Sequence, residues 1–191
     1  PNTDKGACCC ISISNNSKYL ASGHIDGSVV VRDIKSGAVL KRFRHTKSVR
    51  SLCFSPTNEL QIAVVDKAKH VVIHDIIHEV CEECRDDPEK DPDKCTHTIK
   101  LLLPKFKHGD YVRAVAYSSD GKYITTGDDD GKVLVRDAVT SEIIREFLVP
   151  GYIYSLCYLC NGDLAVGTAK GVVHIFRAAV FKKDKLWKKY E

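Results

Sequence analysis

The chain has 191 residues, 43% of them hydrophobic, and a formal net charge of +4. That is enough apolar material for one sizeable core, while no apolar run is long enough for a membrane span and no charged-then-apolar leader opens the chain. Nine cysteines in this setting are expected to be reduced thiols of an intracellular protein, cytoplasmic or nuclear, rather than a disulfide framework. The chain lacks methionine and starts at Pro1, so it is expected to be part of a longer protein.

In chain order, short alternating runs recur between turn signals. The first set holds Cys8–Ser14, the turn Asp26-Gly27 and Val29–Asp33, and the second holds Val49–Ser55 and Val71–Asp75. The third is the clearest: Val112–Ser118, the turn Asp120-Gly121, Lys122–Gly127, the turn Asp130-Gly131, Val133–Asp137, then Thr140-Ser141-Glu142 and Ile143–Leu148. The fourth holds Ile153–Leu159, Lys170-Gly171 and Val173–Arg177. β-branched and aromatic runs between Asp-Gly turns predict antiparallel strands joined as hairpins. One such four-stranded sheet cannot bury both faces alone, so the copies are expected to stack. Gly131 to Gly171 is an offset of 40 residues and Val29 to Val71 one of 42. Val71 to Val133 is 62, which places an insertion of about one hairpin, residues 78–101, in the second copy.

This period, a His before the first strand, an Asp-Gly between the second and third, and an apolar run closing in x-Asp resemble the WD40 repeat family. The resemblance implies an all-β chain of four four-stranded antiparallel repeats, 7–45, 46–108, 109–149 and 150–191. It further implies that these are blades of a larger β-propeller, typically seven-bladed. The Trp of the family's closing dipeptide is absent: Arg32, His74, Arg136 and Phe176 stand there. Family blades are often tied by hydrogen bonds linking the His, a strand Ser or Thr, the turn Asp and that Trp. The third repeat offers His108, Thr126 and Asp130 for this role, and the first offers Ser22 and Asp26 without a preceding His. The second has His45 but Ala68 at the Asp position, and the fourth has Lys170 there. Arg32 and Arg136 are expected to bury their stems along the neighbouring sheet and send their heads outward.

Several cysteines fall where inner strands crowd together. Cys10 takes the place of Ser51, Ala114 and Ser155, and Cys53 and Cys157 take that of Ser12 and Ala116. They are expected to act there as small buried hydrophobes.

The insertion is acidic, and Asp86–Asp93 has no apolar residue beyond its prolines, so it is expected to project from the rim and stay unpacked. Cys81, Cys84, Cys95 and His97 flank it with ligand types suited to a Cys₃His zinc site, although the single residue between Cys95 and His97 is tighter than usual. An unliganded acidic loop is the alternative; no other cofactor is expected. The basic C-terminal stretch with Trp187 and Tyr190 is read as solvated lysines, because no nucleic-acid readout motif accompanies it.

No phosphate loop, nucleophile elbow or His-Glu-x-x-His occurs, so the chain is expected to be non-catalytic, with neither a small-molecule substrate nor nucleic acid as partner. The resemblance implies protein partners on the narrow face of the disc. Contacts there come from the residue after the first apolar position of the inner strand: Cys9, Arg50, Arg113 and Tyr154. They come also from the residue before the turn Asp: Ile25, Lys67, Asp129 and Ala169. Arg50 and Arg113 stand on adjacent blades, where they either clamp a carboxylate or phosphorylated segment together or pair with a neighbouring Asp such as Asp129. The expected function is a protein–protein interaction scaffold. The alternatives are a purely architectural part-propeller and an accessory domain of a multidomain enzyme.

Overall fold

The computed structural model describes residues 6–67, 69–76 and 106–178, without the side chains of residues 70, 106 and 107. All its elements are strands. The first sheet is β1 (Cys8–Ile13), β2 (Tyr19–His24), β3 (Ser28–Asp33) and β4 (Val39–Arg44); the second is β5 (Val49–Phe54), β6 (Gln61–Asp66), β7 (His70–Asp75) and β8 (Phe106–Lys107). The third is β9 (Val112–Tyr117), β10 (Tyr123–Asp128), β11 (Lys132–Asp137) and β12 (Ile143–Leu148). The fourth is β13 (Ile153–Tyr158), β14 (Leu164–Thr168) and β15 (Val173–Phe176). Each sheet is an antiparallel meander in sequence order, as hairpin-linked runs require. The acidic insertion with Cys81, Cys84, Cys95 and His97, and the basic stretch beyond residue 178, lie outside the described residues.

The inner strands β1, β5, β9 and β13 pack side by side in that order. Three apolar seams lie between successive sheets. Val29, Val31 and Phe43 of the first sheet meet Leu52, Phe54, Ile62 and Val64 of the second. Val65, Val71 and Ile73 of the second meet Val112, Val115 and Ile124 of the third. Val133, Val135 and Phe147 of the third meet Ile153, Leu164, Val166 and Phe176 of the fourth. The second and third blades therefore each offer one face to the predecessor and the other to the successor, which is how alternation along a strand lets a two-sided sheet stack. Hydroxyls stitch the seams: the backbone N–H of Phe54 donates to Ser12 Oγ at 3.2 Å, and that of Val115 to Ser51 Oγ at 3.3 Å.

The turn between second and third strands needs a left-handed residue. Gly27 and Gly131 supply it at φ 87° and 78°. The second blade uses Lys69 at φ 63°, a conformation unfavourable for a residue with a Cβ. Its ammonium is held by Gly109 O at 2.9 Å and Asp110 Oδ1 at 3.1 Å, which ties the strained turn to the loop entering the next blade.

The sequence expectation for the polar ties needs correction. His108 does not meet Asp130, which is exposed; its Nδ1 lies 3.2 Å from Asp128 Oδ2 and its Nε2 2.6 Å from Thr126 Oγ1, all three residues buried. A carboxylate only accepts, so Nδ1 carries the proton toward Asp128. The carboxylate also accepts the backbone N–H groups of Asp130 and Lys132. The register explains the difference: Asp128 ends β10 and faces inward, whereas Asp130 sits at the tip of the turn. Asp66 ends β6 at the same repeat position, so the second blade does have its Asp, 3.2 Å from His45 Nδ1. In the first blade that position is His24. Its Nε2 lies 3.0 Å from Ser22 Oγ and its Nδ1 3.1 Å from Gly6 O. Asp26 instead accepts the N–H and hydroxyl of Ser28 within its own exposed turn, and these bonds hold its carboxyl below the usual range.

Of the four positions where the family has Trp, Arg32 and Arg136 reach the following turn, donating to Gly37 O at 3.4 Å and Ser141 O at 3.0 Å. His74 is buried, stacks on Phe43 with ring centroids 4.4 Å apart, and places its Nε2 2.9 Å from that of His45. Burial, then the nearby His45, pushes its pKa down to about 3. Burial pushes the Cys10 and Cys53 thiols up to about 12, as suits packing residues. Cys157 departs from expectation, being exposed. It lies on the side of the fourth sheet that no further blade covers among the described residues.

Candidate functional site

Blades two and three meet at one end of their inner strands around a cavity of about 380 Å³. Arg50 and Arg113 occupy the second position of β5 and β9, so strand alternation points both to the same end of adjacent blades. Lys67 and Asp129 come from the β6–β7 and β10–β11 turns, and Lys47 and Tyr111 from the loops entering β5 and β9. The cavity thus gathers four of the eight residues expected to touch a partner: Arg50, Lys67, Arg113 and Asp129. Cys9, Ile25, Tyr154 and Ala169 are exposed and do not line it.

The two arginines have different fates. Arg113 is paired: Nε donates to Asp129 Oδ1, and Nη2 to Oδ2 at 2.9 Å. Its guanidinium also lies over the rings of Tyr154 and Tyr152, 5.2 and 5.6 Å from their centroids, within cation–π range. The hydrogen bond to Asp129 raises its pKa further. Arg50, Lys47 and Lys67 have no acidic partner among the described residues. With Asp129 committed to Arg113, the cavity carries three cations that no acid among the described residues compensates. Tyr111 adds an aromatic wall, itself beneath the Lys69 ammonium at 5.1 Å.

Sequence reasoning missed Lys47 and Tyr111, which sit two and one residues before an inner strand rather than in it. Their signal was adjacency to the strand start on a face already singled out. Among the described residues no group of three or more His, Cys, Asp or Glu side chains is placed to hold a metal, and no helix is long and apolar enough to cross a membrane.

This stack of antiparallel meanders, three four-stranded and one three-stranded among the described residues, with a loop-lined cavity at the inner-strand ends, is the architecture of part of a β-propeller. The family described as WD domain, G-beta repeat matches residues 2–33, 37–75 and 94–137, and the chain belongs to that WD40 repeat family. It is similar to actin-interacting protein 1 of Drosophila melanogaster, 36% identical over 75 residues, covering 34% of this chain and 12% of that protein. It is also similar to the Drosophila melanogaster retinoblastoma-binding protein 5 homolog, 25% identical over 141 residues, covering 74% of this chain and 25% of the relative. The chain therefore spans a quarter or less of these two relatives. The solved β-propeller domain of Myceliophteria thermophila Cps50 (Swd1) superposes with a TM-score of 0.69 at 18% identity, over 88% of this chain and 51% of that one.

Proposed function

We propose that the chain is a non-catalytic protein–protein interaction scaffold that grips an acidic segment of a partner protein at the cavity between its second and third blades. The observation that carries this is the imbalance of charge: Lys47, Arg50 and Lys67 line a concave site whose one acid, Asp129, is already engaged by Arg113. A cleft lined by one sign of charge focuses its field and draws the opposite charge, and an unpaired Arg offers a bidentate fork for carboxylate or phosphate. Tyr111 and Tyr154 supply rigid aromatic area of the kind enriched where partners bind tightly. Membership of a repeat family, with relatives named for actin and retinoblastoma-protein interaction, supports a binding role rather than a chemical one.

The test is fluorescence anisotropy with a labelled Glu-rich peptide and a Lys-rich peptide of equal length. The Glu-rich probe is expected to bind more tightly, to weaken with salt, and to lose affinity in Arg50→Ala and Lys67→Ala. Equal binding of both peptides, or unchanged affinity in both variants, overturns the reading.

A further inference from the structure

The loop between β4 and β5, His45 to Ser48, joins the first blade to the second at the rim of the cavity, which its Lys47 lines. Thr46 in this loop is exposed. The chain is pinned on either side of it. The N–H of His45 donates to Gly27 O at 2.8 Å, and the carbonyls of His45 and Lys47 close so tightly on Gly27 that a Cβ there would collide with both. Ser48 O accepts the N–H of Lys67 at 3.1 Å. Thr46 therefore has a fixed place, next to Lys47 and two residues from the carbonyl that anchors Lys67. Its exposure does not depend on what lies before the first blade. The third blade has a described blade on each side, and there Leu148 and Pro150 hold the places of Arg44 and Thr46; both are exposed.

The charge around Thr46 has one sign. Arg42 and Arg44 lie four and two residues before it, Lys47 one after and Arg50 four after, and no acid occurs between Asp33 and Glu59. Arg42 and Arg44 belong to β4, the outermost strand of its sheet, so the acceptor follows a stretch of extended chain. Kinases choose substrates by such charge patterns, and the arginine-directed class reads cations placed shortly before the hydroxyl.

We propose that Thr46 is a phosphorylation site for an arginine-directed serine/threonine kinase, and that its phosphate closes the cavity to acidic partners. In the transfer, Thr46 Oγ1 attacks the γ-phosphorus of a nucleoside triphosphate. The new O–P bond forms as the bond to the bridging oxygen breaks. The nucleoside diphosphate leaves with that electron pair, and the hydroxyl proton passes to the kinase's base. The loop thereby gains about −1.5 to −2 of charge and three strong acceptor oxygens. Consecutive Cα atoms are about 3.8 Å apart, so the phosphate lies well inside a Debye length of about 8 Å from Lys47. It competes for Lys47, Arg50 and Lys67 with the carboxylates of a bound segment. The closing of the cavity rests on the reading of that cavity as a grip for acidic segments; the acceptor site does not.

The experiment treats the 191-residue chain with an arginine-directed kinase and ATP, maps the phosphate by mass spectrometry, and follows it by phosphorus NMR. One phosphate is expected, on Thr46, absent in Thr46→Val and incorporated about tenfold more slowly in Arg44→Ala. Its second pKa is expected about half a unit below the ordinary value of about 6, and to return toward 6 in Arg50→Ala and Lys67→Ala. The Glu-rich peptide is expected to bind about tenfold more weakly to the phosphorylated chain. No incorporation, or Ser48 modified in preference, overturns the site. A phosphate that titrates at its ordinary pKa, or peptide affinity unchanged by it, overturns the closing. A Glu-rich peptide that binds neither form sinks the acidic-grip reading instead, while the mapped residue and the phosphorus titration still decide this proposal.

Discussion

Arg113 and Asp129 form a two-point ion pair across the β9–β10 edge of the third blade, and this single pairing decides the sign of the neighbouring cavity. With Asp129 engaged, Arg50 on the adjacent blade faces the cavity without an acidic partner among the described residues. Asp129→Asn removes the one negative charge there while keeping the side chain's shape. Affinity for a Glu-rich peptide is expected to rise by about 1 kcal/mol, roughly fivefold, while Arg50→Ala lowers it by a similar amount. Anisotropy titrations at low and high salt check both, and the gap between variants should shrink as salt screens it.

Asp128 and Asp130 are two residues apart and are expected to behave oppositely. Asp128→Ala strands a fully buried His108 imidazole and two backbone N–H groups, so unfolding free energy should fall by about 3–5 kcal/mol. Asp130→Ala changes an exposed turn tip and should stay within about 0.5 kcal/mol. Urea denaturation of the two variants side by side measures the contrast.

His74 makes stability acid-sensitive. Its folded pKa lies near 3 and its ordinary value is 6.5, so the unfolded chain binds a proton that the folded chain refuses. The stabilisation is complete above pH 6.5 and is lost as pH falls toward 3, at up to about 1.4 kcal/mol per pH unit. His74→Phe keeps the stacked ring on Phe43 and should flatten that part of the pH–stability curve. Denaturant midpoints collected from pH 7 to pH 4 show whether it does.

Gly131 and Gly171 occupy the same turn in successive blades, at φ 78° and 74°. Alanine at Gly171 meets no atom within 4 Å and should cost only the left-handed penalty of about 1–2 kcal/mol. At Gly131 the new Cβ would lie 2.1 Å from the Val149 carbonyl oxygen, a backbone atom that cannot step aside. Gly131→Ala is therefore expected to lower the thermal midpoint well below that of Gly171→Ala in parallel melts.

The strands and their repetition were legible in the residues, because alternation of apolar and polar side chains is a local property with a period of two. Val112–Tyr117, Val133–Val135 and their counterparts needed no knowledge of neighbours to be recognised as strands. The same alternation put Arg50 and Arg113 at equivalent places on successive blades. Which carboxylate meets His108 was not legible. Asp128 and Asp130 carry the same chemistry, and only strand register, with Asp128 ending β10 and Asp130 beyond it, turns one inward and the other to solvent. That Arg113 pairs with Asp129, while Arg50 has no acidic partner among the described residues, likewise follows from distance across a turn and not from composition. Cys53 and Cys157 have identical repeat positions, yet their surroundings differ because, among the described residues, only Cys53 is covered by a following blade. The amino-acid order determines what each blade is, since hydrogen-bonded alternation is written along the strand. What each side chain does depends on which surface lies against it, and that is a property of the stack.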